Sequence, residues 1–234
     1  MRTIAGVIGR RARSYSAAVA LVLLSPFAAQ AAVVAEGTYT ITAPERRVVP
    51  FRMVLTATGA RITPATGETL IFSYAKQSAL VVDAASRSYF LLPLEFVPAL
   101  LSASLGYDPR GLGVAASGAT KKILGTPCAE VSVSGKAPRF TMSTCRATDP
   151  AWSHDYSRLE NALGLPWATA DPPAVFVGLP LSGSLDIEGS RPYRASWAIT
   201  KVARDENLGE NFTIPIGYRM DLERLISLQQ KGQR

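Results

Sequence analysis

Short segments in which apolar and polar residues alternate constrain the fold most. From Val49 onward, Phe51, Met53 and Leu55 occupy every second position, and the segment Glu68–Tyr74 repeats the pattern. A period of two places alternate side chains on opposite faces of a half-buried strand. The chain also has 18 Gly and 16 Pro among its 234 residues, which interrupt long helices and favour turns. We therefore expect an antiparallel meander of closely spaced strands.

Further segments have strand-like patterns, and a few have helical ones. The other predicted strands are Glu36–Thr42, Arg61–Thr63, Ala79–Asp83, Ser88–Leu92, Lys122–Leu124, Ala129–Val133, Arg139–Thr144, Ala174–Gly178, Ser182–Glu188, Tyr193–Val202 and Asn211–Ile214. The predicted helices are Leu94–Leu105, Asp149–Leu165 and Asp221–Leu228. Between the first two helices, the small residues of Gly111–Gly118 are typical of a flexible link.

Composition excludes several classes of protein. Hydrophobic residues make up 47% of the chain and charged residues only 18%, so the sequence is neither disordered nor a coiled coil. A single His excludes metal centres with two or more His ligands, and two Cys cannot form a four-Cys zinc site. We therefore expect neither a metal nor another cofactor.

The first 31 residues have the pattern of a secretory signal peptide. Arg2, Arg10, Arg11 and Arg13 precede the apolar run 17–24, and Ala29-Gln30-Ala31 is a small-x-small cleavage site. The run is shorter than the roughly 20 residues that span a bilayer. The pair Arg10-Arg11 leaves a twin-arginine route open beside general secretion. We expect cleavage after Ala31 and a single β-rich domain over 32–234 in the periplasm, soluble and not membrane-spanning.

The expected mature chain has little excess positive charge. Four of the arginines lie in the first 31 residues, so the remainder carries a net charge of +3 rather than +7. Its basic pairs Arg46-Arg47 and Lys121-Lys122 are isolated, whereas a nucleic-acid binder carries a basic stripe. We therefore expect no nucleic-acid partner.

The only two cysteines, Cys128 and Cys145, lie 17 positions apart. An oxidising compartment favours a disulfide between them, and no C-x-x-C redox motif is present. We predict a structural disulfide.

Catalytic motifs are weak in this sequence. His154 stands in Ser153-His154-Asp155, but residues adjacent in sequence usually point in different directions, and triad members must meet in space. No G-x-S-x-G elbow is present, and the glycines around Gly111 and Gly113 form neither a dinucleotide nor a phosphate motif. We expect a protein that is not an enzyme, and a hydrolase that uses His154 remains the less favoured alternative.

One face of the predicted sheet is rich in aromatic and aliphatic side chains. These residues could form a packed core, or they could line a cavity for an acyl chain beneath a lid formed by Leu94–Leu105. The candidate ligand-binding residues of the face and the lid are Tyr39, Phe51, Met53, Leu55, Phe72, Tyr89, Leu94, Val97 and Leu101.

Three stretches together resemble the LolA-like half-barrel superfamily of exported bacterial proteins, which includes LolA, LolB and RseB. They are Thr69–Tyr74 with Leu80–Tyr89, then Gly125–Val133 with Cys145 behind it, and finally Gly178–Leu181 with Trp197–Val202 and Asn211–Tyr218. The ending Phe-x-Ile-Pro-x-Gly-Tyr is similar to that of secreted members of unknown function. The resemblance implies a mainly β fold, in which a strongly curved antiparallel sheet wraps around a few helices.

The resemblance carries over no functional residue, because the segments 128–145 and 148–180 depart from the lipoprotein carriers. Together with the apolar face, it leads us to expect a non-catalytic periplasmic protein that binds a lipid or another apolar ligand. The alternative is a protein-interaction or envelope-stress sensing module that recognises an envelope protein with the same surface.

Overall fold

The structure is a computed structural model that describes residues 31–105, 112–136, 139–147, 149–165, 177–189, 192–206, 208, 212–224 and 226–227. The described strands are β1 (Ala32–Ala43), β2 (Arg47–Leu55), β3 (Gly59–Pro64), β4 (Thr69–Ser73), β5 (Ser78–Asp83), β6 (Ser88–Pro93), β7 (Gly113–Ile123), β8 (Thr126–Lys136), β9 (Arg139–Ala147), β10 (Pro180–Ile187), β11 (Tyr193–Asp205) and β12 (Arg219–Met220). The described helices are a 3-10 turn at Leu94–Phe96, α1 (Val97–Leu105) and α2 (Pro150–Ala162).

All the described strands belong to one 12-stranded open sheet, in the order β12-β6-β5-β4-β3-β2-β1-β11-β10-β9-β8-β7. Strands β1–β6 form one antiparallel meander and β7–β11 form a second. The meanders join where β1 pairs with β11. Only β12 runs parallel to its neighbour, β6.

The central pair β1–β11 contains a bulge that requires a glycine. The register shifts between Glu36 and Gly37. A Cβ atom at Gly37 would lie 2.4 Å from the carbonyl oxygen of Ala198, so no larger residue fits this close approach of two strands. Bulges of this kind bend the bulged strand and increase its twist.

The main core shows how strongly the sheet curves. One buried cluster includes Phe72 and Phe90 from the first meander, Cys145 and Leu181 from the second, and Leu159 from α2. Strands on both sides of the β1–β11 pair can reach one cluster only if the sheet bends around it. The fold class predicted from the sequence, a curved antiparallel half-barrel with few helices, is confirmed.

The disulfide predicted between Cys128 and Cys145 is also confirmed. It joins β8 to β9 with a Cα–Cα distance of 5.4 Å, and both residues are buried in the main core.

Two element predictions were wrong. The flexible link expected at Gly111–Gly118 is wrong over residues 113–118, which belong to β7. This edge strand has nearly all of its side chains exposed, so backbone pairing with β8 holds it and no apolar pattern marks it. The predicted strand Asn211–Ile214 forms no strand over 212–214.

Two other predictions fall outside the described residues. They concern the signal peptide over 1–30 and, within the predicted strand Ala174–Gly178, residues 174–176.

Candidate ligand-binding cavity

A cavity of about 540 Å³ lies between the concave face of the sheet and α2. Most of its wall is apolar. The lining residues are Tyr39, Val49, Phe51, Met53, Ile62, Pro64, Glu68, Leu70, Met142, Thr144, Arg146, Tyr156, Leu159, Glu160, Leu163, Pro180, Trp197 and Ile199. This volume is typical of a site for a small organic ligand.

Helix α2 provides one wall of the cavity. Tyr156, Leu159 and Glu160 are spaced by three or four residues, so they share one face of the helix, and Leu163 follows directly after its end. The opposite wall consists of alternate residues of the strands, such as Phe51 and Met53 of β2 in the first meander of the sheet. The period of the strands and that of the helix thus direct apolar side chains into the same space.

A buried ion pair stands in this apolar wall. The Arg146 guanidinium donates two hydrogen bonds to the Glu160 carboxylate, of which the Nη1–Oε2 bond measures 2.9 Å. Nη1 also donates to the carbonyl oxygen of Gly178 at 3.2 Å. The side chains are only 3% and 5% exposed. These hydrogen bonds tie α2 to β9. Because the two charges neutralise each other, the pair adds no net charge to the cavity wall.

Two phenols in the wall stay neutral. The hydroxyl groups of Tyr39 and Tyr193 lie 2.7 Å apart in a hydrogen bond. Burial raises the pKa of Tyr39 far above its ordinary value, and the bond to Tyr193 raises it further. Burial likewise raises the pKa of Tyr156, whose ring lies 5.7 Å from the Arg146 guanidinium. Neither phenol therefore ionises at neutral pH.

Glu68 is a charged residue of the cavity lining, and it is partly exposed. Its side chain is 29% exposed and forms an ion pair with Arg224. The Arg224 guanidinium also lies 5.1 Å from the centre of the Phe90 ring. Arg224, near the end of the described residues, thus contacts a residue that lines the cavity.

The structure brings together part of the predicted ligand-binding set. Tyr39, Phe51 and Met53 line the cavity. Leu55, Phe72, Leu94 and Val97 belong to the main core or pack against it. Tyr89 lies on the other face of the sheet, in a cluster with Ile71 and Leu80. The side chain of Leu101 is outside the part that the structure describes.

The helix that lines the cavity is α2, whereas the sequence suggested a lid at Leu94–Leu105. Among the described residues, that segment provides no lining side chain. The helical spacing of Leu159 and Leu163 was visible in the sequence. No sequence pattern indicated Arg146 and Glu160, because their pairing depends on how α2 packs against β9.

His154 is not assembled with its sequence neighbours into a triad. Its side chain is exposed on α2, whereas Ser153 and Asp155 are buried. The Ser153 hydroxyl donates to the carbonyl oxygen of Asp149 at 2.6 Å and to that of Ala147 at 3.2 Å, so it contacts the backbone. Within the described ranges, His154 forms no hydrogen bond or ion pair.

The described chain has no helix with the length and apolar character needed to cross a membrane. Its fold and cavity define an open half-barrel with an apolar interior.

No family model and no curated protein matches the sequence. Among solved structures, the chain is similar to PNGF-II, at 10% identity and a TM-score of 0.46, over 86% of this chain and 33% of that one. It thus spans about a third of the PNGF-II chain. It is also similar to the lipoprotein LppX of Mycobacterium tuberculosis, at 12% identity and a TM-score of 0.38, over 85% of this chain and 100% of that one.

A third similar structure is a LolA superfamily protein from Nitrosomonas europaea, at 6% identity and a TM-score of 0.34, over 79% of this chain and 90% of that one. All of these similarities are distant, and the fold assignment stands on the strand order and the core described above.

Proposed function

We propose that this protein is an exported, non-catalytic protein that binds a lipid or another apolar ligand in the cavity between the sheet and α2. The observation that carries the proposal is the cavity itself, whose wall is apolar and whose one buried ion pair is internally neutralised. Burial of apolar ligand surface there would contribute about 25 cal/mol per Å² before ordering costs are subtracted.

The size of the cavity points to one acyl chain. A volume of about 540 Å³ lies within the range of about 300–1,000 Å³ that is typical of small-ligand sites. A single acyl chain therefore fits in the cavity.

A direct test uses the naturally fluorescent fatty acid cis-parinaric acid as a probe, with two substitutions in β2. Val49 lines the cavity, whereas its neighbour Val48 is 57% exposed. We expect Val49→Trp to fill part of the cavity and weaken binding at least about tenfold, because part of the apolar contact area is lost. Val48→Trp adds the same bulk outside the cavity and should leave the affinity unchanged.

The natural ligand is sought by native mass spectrometry of protein purified gently from the exported fraction, followed by solvent extraction. A stoichiometric lipid would support the proposal. A ligand-free mass together with no saturable probe binding would contradict it, and would favour a module that recognises an envelope protein.

Export is part of the same proposal, since the predicted signal peptide and the disulfide both fit an oxidising compartment. We expect the protein in periplasmic extracts, with Ala32 as its first residue by amino-terminal sequencing. Full-length protein confined to the cytoplasmic fraction would contradict this.

A further inference from the structure

The cavity extends across the sheet rather than along one strand. Its lining strands are consecutive in the sheet, in the order β4-β3-β2-β1-β11-β10-β9. Leu70 of β4 and Glu68, which directly precedes that strand, stand at one end of this row, and Arg146 of β9 stands at the other. Each end of the cavity therefore carries one ion pair, Glu68 with Arg224 at the first and Arg146 with Glu160 at the second.

The cation at each end of the cavity is already matched by carboxylates of the protein. Within the described part of the chain, the charged residues of the lining are Glu68, Arg146 and Glu160. The Arg146 guanidinium donates two hydrogen bonds to Glu160. At the other end, Arg224 contacts Glu68. An anionic ligand group at either end would therefore meet at least one carboxylate beside the cation.

A second carboxylate lies near Arg224. After the Ser86 hydroxyl and the Ala85 amide, the charge of Arg224 helps to hold the pKa of Asp83 below its ordinary value. Glu68 and Asp83 thus share one guanidinium, and a ligand carboxylate at this end would be a third negative charge beside a single cation. Like charges placed close together disfavour the ionised form of each group.

The wall also offers uncharged polar groups. The hydroxyls of Tyr39 and Tyr193 lie 2.7 Å apart, so one donates to the other and the second keeps a hydrogen that it can donate. The Thr144 hydroxyl donates to the carbonyl oxygen of Ser182 at 3.2 Å, and its own oxygen can still accept a hydrogen bond. An ester or alcohol oxygen can use such groups without bringing a charge into the cavity.

We propose that the cavity selects a lipid whose polar end is uncharged, such as an ester or an alcohol, over one that ends in an ionised carboxylate. This inference rests on the proposed function and names the chemical class of its ligand. An ionised group that leaves water needs a counter-charge, and the cations at both ends of the cavity are already paired with carboxylates of the protein. An uncharged oxygen needs only a hydrogen bond.

The probe pair that tests the selectivity is cis-parinaric acid and its methyl ester, which share one fluorescent chain and differ in the charge of one end. At pH 8 we expect the ester to bind the wild-type protein at least about tenfold more tightly than the acid. An ordinary carboxyl group has a pKa of about 4.3, so part of the acid is uncharged at pH 5. The affinity for the acid should therefore rise at least about fivefold from pH 8 to pH 5, whereas the affinity for the ester should change less than about twofold.

Glu68→Gln tests whether the charges of the protein cause this selectivity. It removes a carboxylate that neutralises Arg224, so a ligand carboxylate can take its place beside the guanidinium. The ratio of ester affinity to acid affinity at pH 8 should fall at least about threefold. Glu188→Gln is the matched control, because it removes the same charge from an exposed ion pair with Arg139 outside the cavity lining. Its ratio should equal that of the wild type.

Equal affinities of the wild-type protein for acid and ester at pH 8 would overturn the selectivity, and so would an unchanged ratio in Glu68→Gln. Both results would leave the proposed function intact, since the probes would still bind. Absence of saturable binding of either probe would instead contradict the proposed function, and the selectivity with it.

Discussion

Replacement of Glu160 by Gln is expected to destabilise the protein strongly. The substitution keeps the size of the side chain and removes the charge that neutralises the Arg146 guanidinium. Both side chains are almost completely buried, and two hydrogen bonds join them. A guanidinium left in this environment without its counter-charge cannot recover the lost interaction from bulk water.

The expected cost is about 3–5 kcal/mol, which is typical when one partner of a buried ion pair is removed. In a domain of this size, that corresponds to a melting temperature lower by roughly 6–20 °C. The exposed pair Arg194–Asp186 is the natural comparison, with an N–O distance of 3.0 Å and side chains 57% and 42% exposed. Asp186→Asn should change the free energy of unfolding by less than about 1 kcal/mol.

Equilibrium urea unfolding followed by tryptophan fluorescence measures these values. The double variant Arg146→Met with Glu160→Gln removes both charges, so we expect it to be more stable than the sum of the two single effects implies. A cost below about 1 kcal/mol for Glu160→Gln, or strictly additive single effects, would refute the view that this pair ties α2 to the sheet.

Two further predictions concern the covalent link and one surface turn. Replacing both Cys128 and Cys145 by Ser should lower the free energy of unfolding by about 3 kcal/mol in urea denaturation, and the non-reduced wild type should be lighter than the reduced protein by about two daltons; a mass unchanged by reduction would argue against the bridge. Hydrogen bonds from the Ser86 hydroxyl and the Ala85 amide hold the pKa of Asp83 below its ordinary value of 3.8, so its stabilising contribution is present above that pH and is lost as the pH falls through the lowered pKa. Asp83→Asn should therefore melt below the wild type at neutral pH and approach it in acid, and a difference that does not depend on pH would contradict this.

Much of the first meander could be predicted from the sequence. In β2, residues 49, 51, 53 and 55 are apolar at every second position, so a period of two predicts the strand and the shared face of Phe51 and Met53. Strand β7 shows the limit of that signal. Its side chains are exposed on both faces, so no alternation of apolar and polar residues marks the strand. Backbone hydrogen bonds to β8 hold it in the sheet, and these bonds do not depend on residue type.

The site was less predictable for two physical reasons. Core and cavity use the same residue types, so only the packed structure separates Phe51, which lines the cavity, from Phe72, which fills the core. Arg146 and Glu160 lie on different elements, and charged residues are rarely buried, so their types alone predict exposed positions. Their partnership follows from the approach of α2 to β9, which no local pattern encodes.

The pairing of β1 with β11 has a consequence for the order of folding. Partners such as Val33 and Arg204 are separated by most of the described chain, and this one pairing joins the two meanders. Closing so long a loop is slow because of its entropy cost, and the stabilising contacts between β1 and β11 form only when both strands are present. The half-barrel therefore cannot close until the chain has been synthesised through β11. A nascent chain of this topology carries its first meander without the partner of β1 until that point.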